Sequence, residues 1–133
     1  MLQGHTVSEV MSRECLTVRP ELTIEKLVHE HILTSGRRCF PVVTDSRVLG
    51  LVTMHNIKAV PRDLWATKRV KEAMTPFENL KWVRPSDNLS SVLQLLAEED
   101  VNQLPVVEGS NIVGMIARDS LLSFINVRSE LGM

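Results

Sequence analysis

The apolar positions of this chain fall into two alternating patterns. Ile24, Leu27, Val28 and Ile32 are spaced as one stripe of a helix, and Leu89, Val92, Leu93 and Leu96 as one stripe of another. Each stripe needs a partner surface to bury it. Short apolar runs follow each stripe: Cys39–Val43 and Val48–Val52 after the first, Leu104–Val107 and Ile112–Ile116 after the second. These runs read as pairs of strands joined by the polar turns Thr44-Asp45-Ser46 and Glu108-Gly109-Ser110. A brief strand is expected near Leu16–Val18 and again near Leu80–Val83. A closing helix begins near Met54 and near Arg118. Gly36 stands where a glycine ends a helix, and Asp87 or Asn88 is placed to cap the second helix.

The pattern occurs twice because the sequence does. Cys39-Phe40-Pro41-Val42-Val43 matches Gln103-Leu104-Pro105-Val106-Val107, and Val48-Leu49-Gly50-Leu51-Val52 matches Ile112-Val113-Gly114-Met115-Ile116, each 64 positions on. Val18-Arg19-Pro20 matches Val83-Arg84-Pro85, and Val7-Ser8-Glu9-Val10-Met11 matches Val70-Lys71-Glu72-Ala73-Met74. Four blocks in one order establish an internal duplication. The expected fold is α+β, two β-α-β-β-α repeats. Residues 1–60 form repeat one, 61–69 a linker and 70–133 repeat two. A repeat of about 60 residues buries too little surface to stand alone. The two are therefore expected to pack as one compact module through their sheets, with pseudo-twofold symmetry and a cleft where the sheets meet.

Composition narrows the function classes. The chain has 133 residues, 44% hydrophobic and 23% charged, with a formal net charge of -1. That is the make-up of a globular core, with no overall field to attract nucleic acid. No run approaches the roughly 20 apolar residues that cross a bilayer, so membrane insertion is not expected. The N-terminus lacks the basic-then-apolar order of a signal peptide. Cys15 and Cys39 make no disulfide framework, which suits a reducing, cytoplasmic setting.

The Val-x-x-x-Met openings ending at Met11 and Met74, Phe40-Pro41-Val42-Val43, Leu104-Pro105-Val106-Val107 and the strands around Gly50 and Gly114 together resemble the CBS domain, and the tandem resembles a CBS pair. The resemblance implies a regulatory module without catalysis of its own, attached to an enzyme, channel or transporter and commonly a homodimer. It implies an adenosine-containing ligand such as AMP, ADP, ATP or S-adenosylmethionine in the cleft, and no required cofactor. More narrowly, Pro61-Arg62-Asp63-Leu64-Trp65-Ala66-Thr67 and Arg128-Ser129-Glu130-Leu131-Gly132 resemble the CBS tails of site-2-type zinc metalloproteases. On that likeness the chain is the cytoplasmic part of a membrane protease. It has no HExxH of its own.

The ligand motif that the resemblance implies is a glycine, two apolar residues, Ser or Thr, two residues, then Asp. The hydroxyl would face phosphate at a helix start, and the carboxylate would accept from both ribose hydroxyls. Repeat one reads Gly50-Leu51-Val52-Thr53-Met54-His55-Asn56, with asparagine for aspartate. Repeat two reads Gly114-Met115-Ile116-Ala117-Arg118-Asp119-Ser120, with alanine for the hydroxyl residue and serine for the aspartate. Asp119 lies one position early, about 100° around the helix. The resemblance also implies that residues just before the middle strand approach the ligand; here these are Arg37 and Arg38, whose guanidiniums would pair with phosphate. Val101-Asn102 is the matching, uncharged position. Thr17, in the first strand, completes the candidate set of Thr17, Arg37, Arg38, Thr53, Asn56, Asn102, Asp119 and Ser120.

Thr53, Asp119 and the arginine pair each have a plainer reading. Thr53 is equally a favoured helix cap, Asp119 a favourable first-turn charge, and Arg37-Arg38 solvated charge at a helix end. His29 and His31 sit two apart, unlike a helical metal pair. Cys15 and Cys39 read as small core or near-core residues, and Met11 and Met74 as core fillers at the inter-repeat or dimer surface. Lys68-Arg69-Lys71 is too short, and aromatics too few, for a nucleic-acid face. No acid–base pair or nucleophile–base arrangement points to an enzyme. Two readings stay open: an adenosine-ligand sensor with one principal site around Thr53 and Asn56, or a ligand-free homodimerisation module. The second would join copies through Ile57, Val60, Leu121, Leu122, Phe124 and Ile125.

Overall fold

The computed structural model describes residues 4–45, 47–99 and 101–133. Ser46, in the first expected turn, lies outside them. The first helix, α1, spans 24–35. Thr23 is extended and its hydroxyl accepts the Lys26 N–H at 3.3 Å. Gly36 ends the helix with φ 71°, a left-handed value that a side chain resists, and its N–H returns to the Ile32 carbonyl at 2.8 Å. Across Leu27–Ile32 the helix widens to π geometry. Ile24, Leu27 and Ile32 are buried, with Val28 packed beside them.

The strands β1 (Cys39–Thr44) and β2 (Arg47–Thr53) pair antiparallel and lead into α2 (Met54–Lys58). Then come α3 (Val70–Ala73), β3 (Thr75–Pro76) and α4 (Leu89–Glu99). The strands β4 (Gln103–Glu108) and β5 (Asn111–Ala117) form the second hairpin, and α5 (Arg118–Glu130) closes the chain. Asn88 caps α4, its Oδ1 accepting the Ser90 N–H at 2.7 Å. Asp87 instead accepts the Arg84 N–H at 2.8 Å. The two hairpins share one register, Val42 opposite Gly50 and Val106 opposite Gly114. Each carries an irregularity at the same place, between Val42 and Val43 and between Val106 and Val107.

The expected strands near Leu16–Val18 and Leu80–Val83 shrink to single parallel bridges, Val18 to Val42 and Val83 to Val106. The prolines supply the reason. Val18 donates to the Pro41 carbonyl at 2.9 Å and Val83 to the Pro105 carbonyl at 3.1 Å. The side of β1 and β4 facing these bridges is therefore the side on which proline lacks an N–H, and no ladder can extend there.

The hairpins gain their other neighbour from the opposite repeat. Contacts divide the chain into two compact units: Leu16–Leu80, and Met1–Cys15 together with Lys81–Met133. In the first unit β3 pairs with β2, Leu51 opposite Thr75, and the sheet order is β1-β2-β3. Buried Val70 and partly buried Met74 join the Ile24, Leu27, Phe40, Val42 and Val52 core. In the second unit Ser12 bridges Met115, and buried Val7 and Met11 join the Leu89, Val92, Leu96, Val106 and Ile116 core. Sequence repeats and compact units are thus different divisions of the chain.

Gly50 and Gly114 are what admits these segments. A Cβ on Gly50 would lie 2.3 Å from the Thr75 carbonyl oxygen, and one on Gly114 2.6 Å from that of Ser12. Residues 61–69 are also part of a unit rather than a free tether. The Trp65 indole N–H donates to the Val60 carbonyl at 3.1 Å, and Trp65 packs on the first unit's core. The carbonyls of Lys68 and Trp65 accept the N–H groups of Ile24 and Glu25 at 2.9 and 3.0 Å, satisfying the first donors of α1.

Matching carboxylates fix the two opening segments. Glu9 accepts the Thr6 N–H at 2.8 Å, and Glu72 the Arg69 N–H at 2.9 Å. These backbone hydrogen bonds are the main cause that holds both carboxyls below the ordinary glutamate value of 4.5. A hydrogen bond from His5 adds to the effect on Glu9, and the charges of Lys68, Lys71 and Arg69 to that on Glu72. At the far end, Arg118 reaches back from α5. Its guanidinium donates to the carbonyls of Leu96 and Val101 at 2.9 and 3.2 Å, beside the last turn of α4.

Three outcomes follow. Carboxyls depressed on folding stabilise the protein fully above their unfolded value, and the contribution is lost as the pH falls through the folded value. The melting midpoint should therefore decline as acid takes the pH below 4.5. The double variant Glu9→Gln with Glu72→Gln should show a shallower decline, since Gln keeps a cap but does not titrate; equal slopes would refute the assignment. Gly114→Ala should cost about 1–3 kcal/mol in chemical denaturation, because the added methyl meets backbone. Arg118→Met, which installs the residue found at the equivalent place in repeat one, should cost about 2 kcal/mol through its lost charge-assisted bonds. A melt unchanged by that substitution would show the guanidinium to be idle.

Candidate functional site

The corner where β2 becomes α2 is held by side chains. Thr53 is extended and is the N-cap of α2. Its hydroxyl accepts the Asn56 N–H at 3.2 Å, while Asn56 Oδ1 accepts the Thr53 N–H at 2.9 Å and its hydroxyl proton at 3.1 Å. Because the Thr53 N–H can only donate, the atom facing it is the amide oxygen and the amide orientation follows. Asn56 Nδ2 then donates to Thr75 Oγ1 at 3.4 Å, tying the corner to β3. Thr53 and Asn56 are half-buried.

Of the remaining first-unit candidates, Arg37 and Arg38 precede the strand β1 that pairs with Thr53, and Thr17 precedes the bridge from Val18 to Val42. Cys39 pairs with Thr53 across the hairpin, and the Met54 N–H donates to the Arg38 carbonyl at 3.0 Å, so the arginine pair enters the sheet beside Thr53. Arg37 is half-buried and its N–H donates to Ser35 Oγ at 3.2 Å. Arg38 is exposed, and Thr17 is exposed just before the bridging Val18. Among the described residues no hydrogen bond joins the side chain of Thr17 or Arg38 to Thr53 or Asn56.

The second unit repeats the backbone and not the chemistry. The Arg118 N–H donates to the Asn102 carbonyl at 2.8 Å, as Met54 does to Arg38. Ala117, the N-cap of α5, makes no side-chain cap. Asn102, Asp119 and Ser120 are exposed, with Asp119 in the first turn of α5. Two residues escape the sequence reading. Thr75 follows Met74 as Ser12 follows Met11, yet nothing in the sequence says that it pairs with a strand of the other repeat. Arg118 reads only as a helix start, and its contact spans the fold back to α4.

Cys15 and Cys39 are half-buried. His31 stands edge-on to Phe40, with ring centroids 6.1 Å apart. Among the described residues no three His, Cys, Asp or Glu side chains are grouped to hold a metal, and no helix is long and apolar enough to cross a membrane.

Comparison with known proteins agrees with this geometry. The CBS domain family model matches residues 7–63 and again 70–127. A Methanocaldococcus jannaschii protein of uncharacterised function is 30% identical over 112 residues, 84% of this chain and 40% of the relative. A Synechocystis protein named as a zinc metalloprotease is 27% identical over 124 residues, 91% of this chain and 33% of the relative. The chain thus spans between a quarter and two fifths of the curated relatives it first matches. The crystal structure of CBSX2 in complex with AMP superposes with a TM-score of 0.80 at 24% identity, covering 94% of this chain and 99% of that one, and so shares its fold. The chain belongs to the CBS domain family, whose tandem pairs are regulatory modules.

Proposed function

We propose that this chain is a non-catalytic sensor module that binds an adenosine-type ligand at the Thr53–Asn56 corner. Thr17, Arg37 and Arg38 approach the same ligand, and Arg37 and Arg38 pair with its phosphate. The single observation that carries the reading is the asymmetry between the units. Thr53, Asn56 and Thr75 build a polar corner in one, and Ala117 and Ser120 leave the other without it. On this reading the module works within a longer protein, of the kind its metalloprotease-named relative represents, and on the cytoplasmic side, the setting that suits a chain with only two cysteines. The ligand biases that protein only by its differing affinity for two arrangements of the module.

A second reading, a ligand-free homodimerisation module, has one observation in its favour: Thr53 and Asn56 largely satisfy each other. Its surface needs correction. Ile57 and Leu121, offered for the interface by sequence, are 3% and 0% exposed and belong to the unit cores. Apolar side chains three and four apart share the helix face that turns to the core, and these two lie on it. Leu122, Val127, Leu131 and Met133 are the exposed large apolar residues of that end.

Thermal melts with excess AMP, ADP, ATP, adenosine and S-adenosylmethionine separate the two. A ligand at about 100 times its dissociation constant adds about 2.7 kcal/mol, which raises the midpoint by several degrees. The double substitution Arg37→Ala with Arg38→Ala should abolish most of the shift for a phosphorylated ligand. No shift with any of the five, confirmed by calorimetry, overturns the sensor. Light scattering that stays monomeric at high concentration overturns the dimer.

A further inference from the structure

One ion pair recurs in both units with a single change of residue type. In the first unit Lys68 Nζ lies 3.8 Å from Glu72 Oε2, and in the second His5 Nδ1 lies 3.1 Å from Glu9 Oε1. The two pairs hold equivalent places in their repeats, ahead of Val70 and of Val7. Their backbones serve alike, the Lys68 carbonyl accepting the Ile24 N–H at 2.9 Å and the His5 carbonyl the Leu89 N–H at 3.1 Å. Lysine stays charged throughout the neutral range, whereas imidazole changes charge between about pH 5 and 8. The surroundings differ too. The His5 ring stands edge-on to Phe124 of α5, centroids 5.5 Å apart, and its side chain is 22% exposed against 41% for Lys68. In the first unit the position of Phe124 is taken by Val60.

We propose that His5 is a proton-operated clasp between the opening segment of the second unit and α5, which makes the module responsive to pH independently of any ligand. Protonated, the ring gives Glu9 a charge-assisted hydrogen bond while it rests on Phe124. Neutral, it keeps that bond through one tautomer and brings no charge to it. The charged groups on the elements packed against His5 are few. Glu9 stands on its own segment. Arg128 faces it from α5, the guanidinium 5.3 Å from the centre of the Phe124 ring. Arg84 and Asp87 lie on the stretch before α4, where the Asp87 carboxylate accepts the Arg84 N–H. Arg128 opposes a charge on His5, and Glu9, in direct hydrogen-bond contact, decides the sign. A histidine that gains a carboxylate partner on folding contributes stability at the acid end of its range and loses it as the pH rises. The second unit therefore tightens as the pH falls from about 8 to about 5, and the Lys68–Glu72 pair of the first does not respond.

The test is amide hydrogen exchange of the full chain, followed by NMR from about pH 5.5 to about pH 8 and corrected for the intrinsic rate. Glu9 stays ionised throughout that range. The reporters are the Val7 and Leu89 amides, bonded to the carbonyls of Asp87 and His5. Their first-unit equivalents, the Val70 and Ile24 amides bonded to Leu22 and Lys68, serve as the reference. Protection at Val7 and Leu89 should fall about two- to fivefold relative to the reference across the range, the worth of one partly exposed ion pair. His5→Lys, which copies the first unit, and His5→Gln, which carries no charge, should both leave the ratio flat. A wild-type ratio that does not move overturns the proposal. So does a slope of equal size in either variant, since the titration would then belong to another group. Should a variant fail to fold, the wild-type ratio alone decides.

Discussion

The fold rests on the close approach of each opening segment to a glycine of the opposite repeat's hairpin. Thr75 lies against Gly50 and Ser12 against Gly114, at distances that leave no room for a side chain. This contact supplies what a short hairpin lacks: a further neighbour for its second strand, and a valine to close its core. Val70 does so in one unit and Val7 in the other, and both are fully buried. The prolines make the dependence stricter. With Pro41 and Pro105 facing the outer edge, the first segment of each repeat contributes one bridge only, so the opposite repeat must provide the rest.

The same requirement explains where charge is used. The opening segments are short turns, too short to hold themselves by helix propensity, and Glu9 and Glu72 clamp their backbones. The linker after α2 serves a similar end, its carbonyls receiving the first N–H groups of α1. Polar chemistry in the scaffold thus completes backbone hydrogen bonds at element ends, where the geometry of a short helix leaves donors and acceptors without a partner. The candidate site grows out of that scaffold. Thr53 and Asn56 form a helix cap like many others, and only the link to Thr75 and the arginines at the neighbouring strand entry distinguish it.

Duplication made the scaffold symmetric and left the corners free to diverge. The hairpins agree residue by residue, down to the irregularity after Val42 and Val106, because both must accept an inserted segment. At the helix starts no such constraint operates. Repeat one has Thr53 and Asn56 capping each other. Repeat two has Ala117 without a cap, with Arg118 serving α4 instead. A capped corner in one unit and an uncapped one in the other is the expected product of a fold in which only the hairpins must accept an inserted segment.

By itself the sequence determined the elements and their order. Helical spacing marked Ile24, Leu27 and Ile32 as one buried stripe and Leu89, Val92 and Leu96 as another, and Gly36 and the pair Asp87-Asn88 marked helix ends, since these are local consequences of backbone geometry. It also placed Thr53 and Asn56 at a helix start. What it left undecided is non-local. That Met74-Thr75 completes the sheet of repeat one, that Arg118 reaches Leu96, and that Ile57 and Leu121 face inward are matters of which surfaces meet in space. Hydrophobic pattern states that a face is buried and does not name its partner. The filling of Asn56's acceptor oxygen is of the same kind. Identity supplied the amide, and only the tertiary structure, by setting Thr53 and Thr75 on either side of it, decided where its hydrogen bonds go.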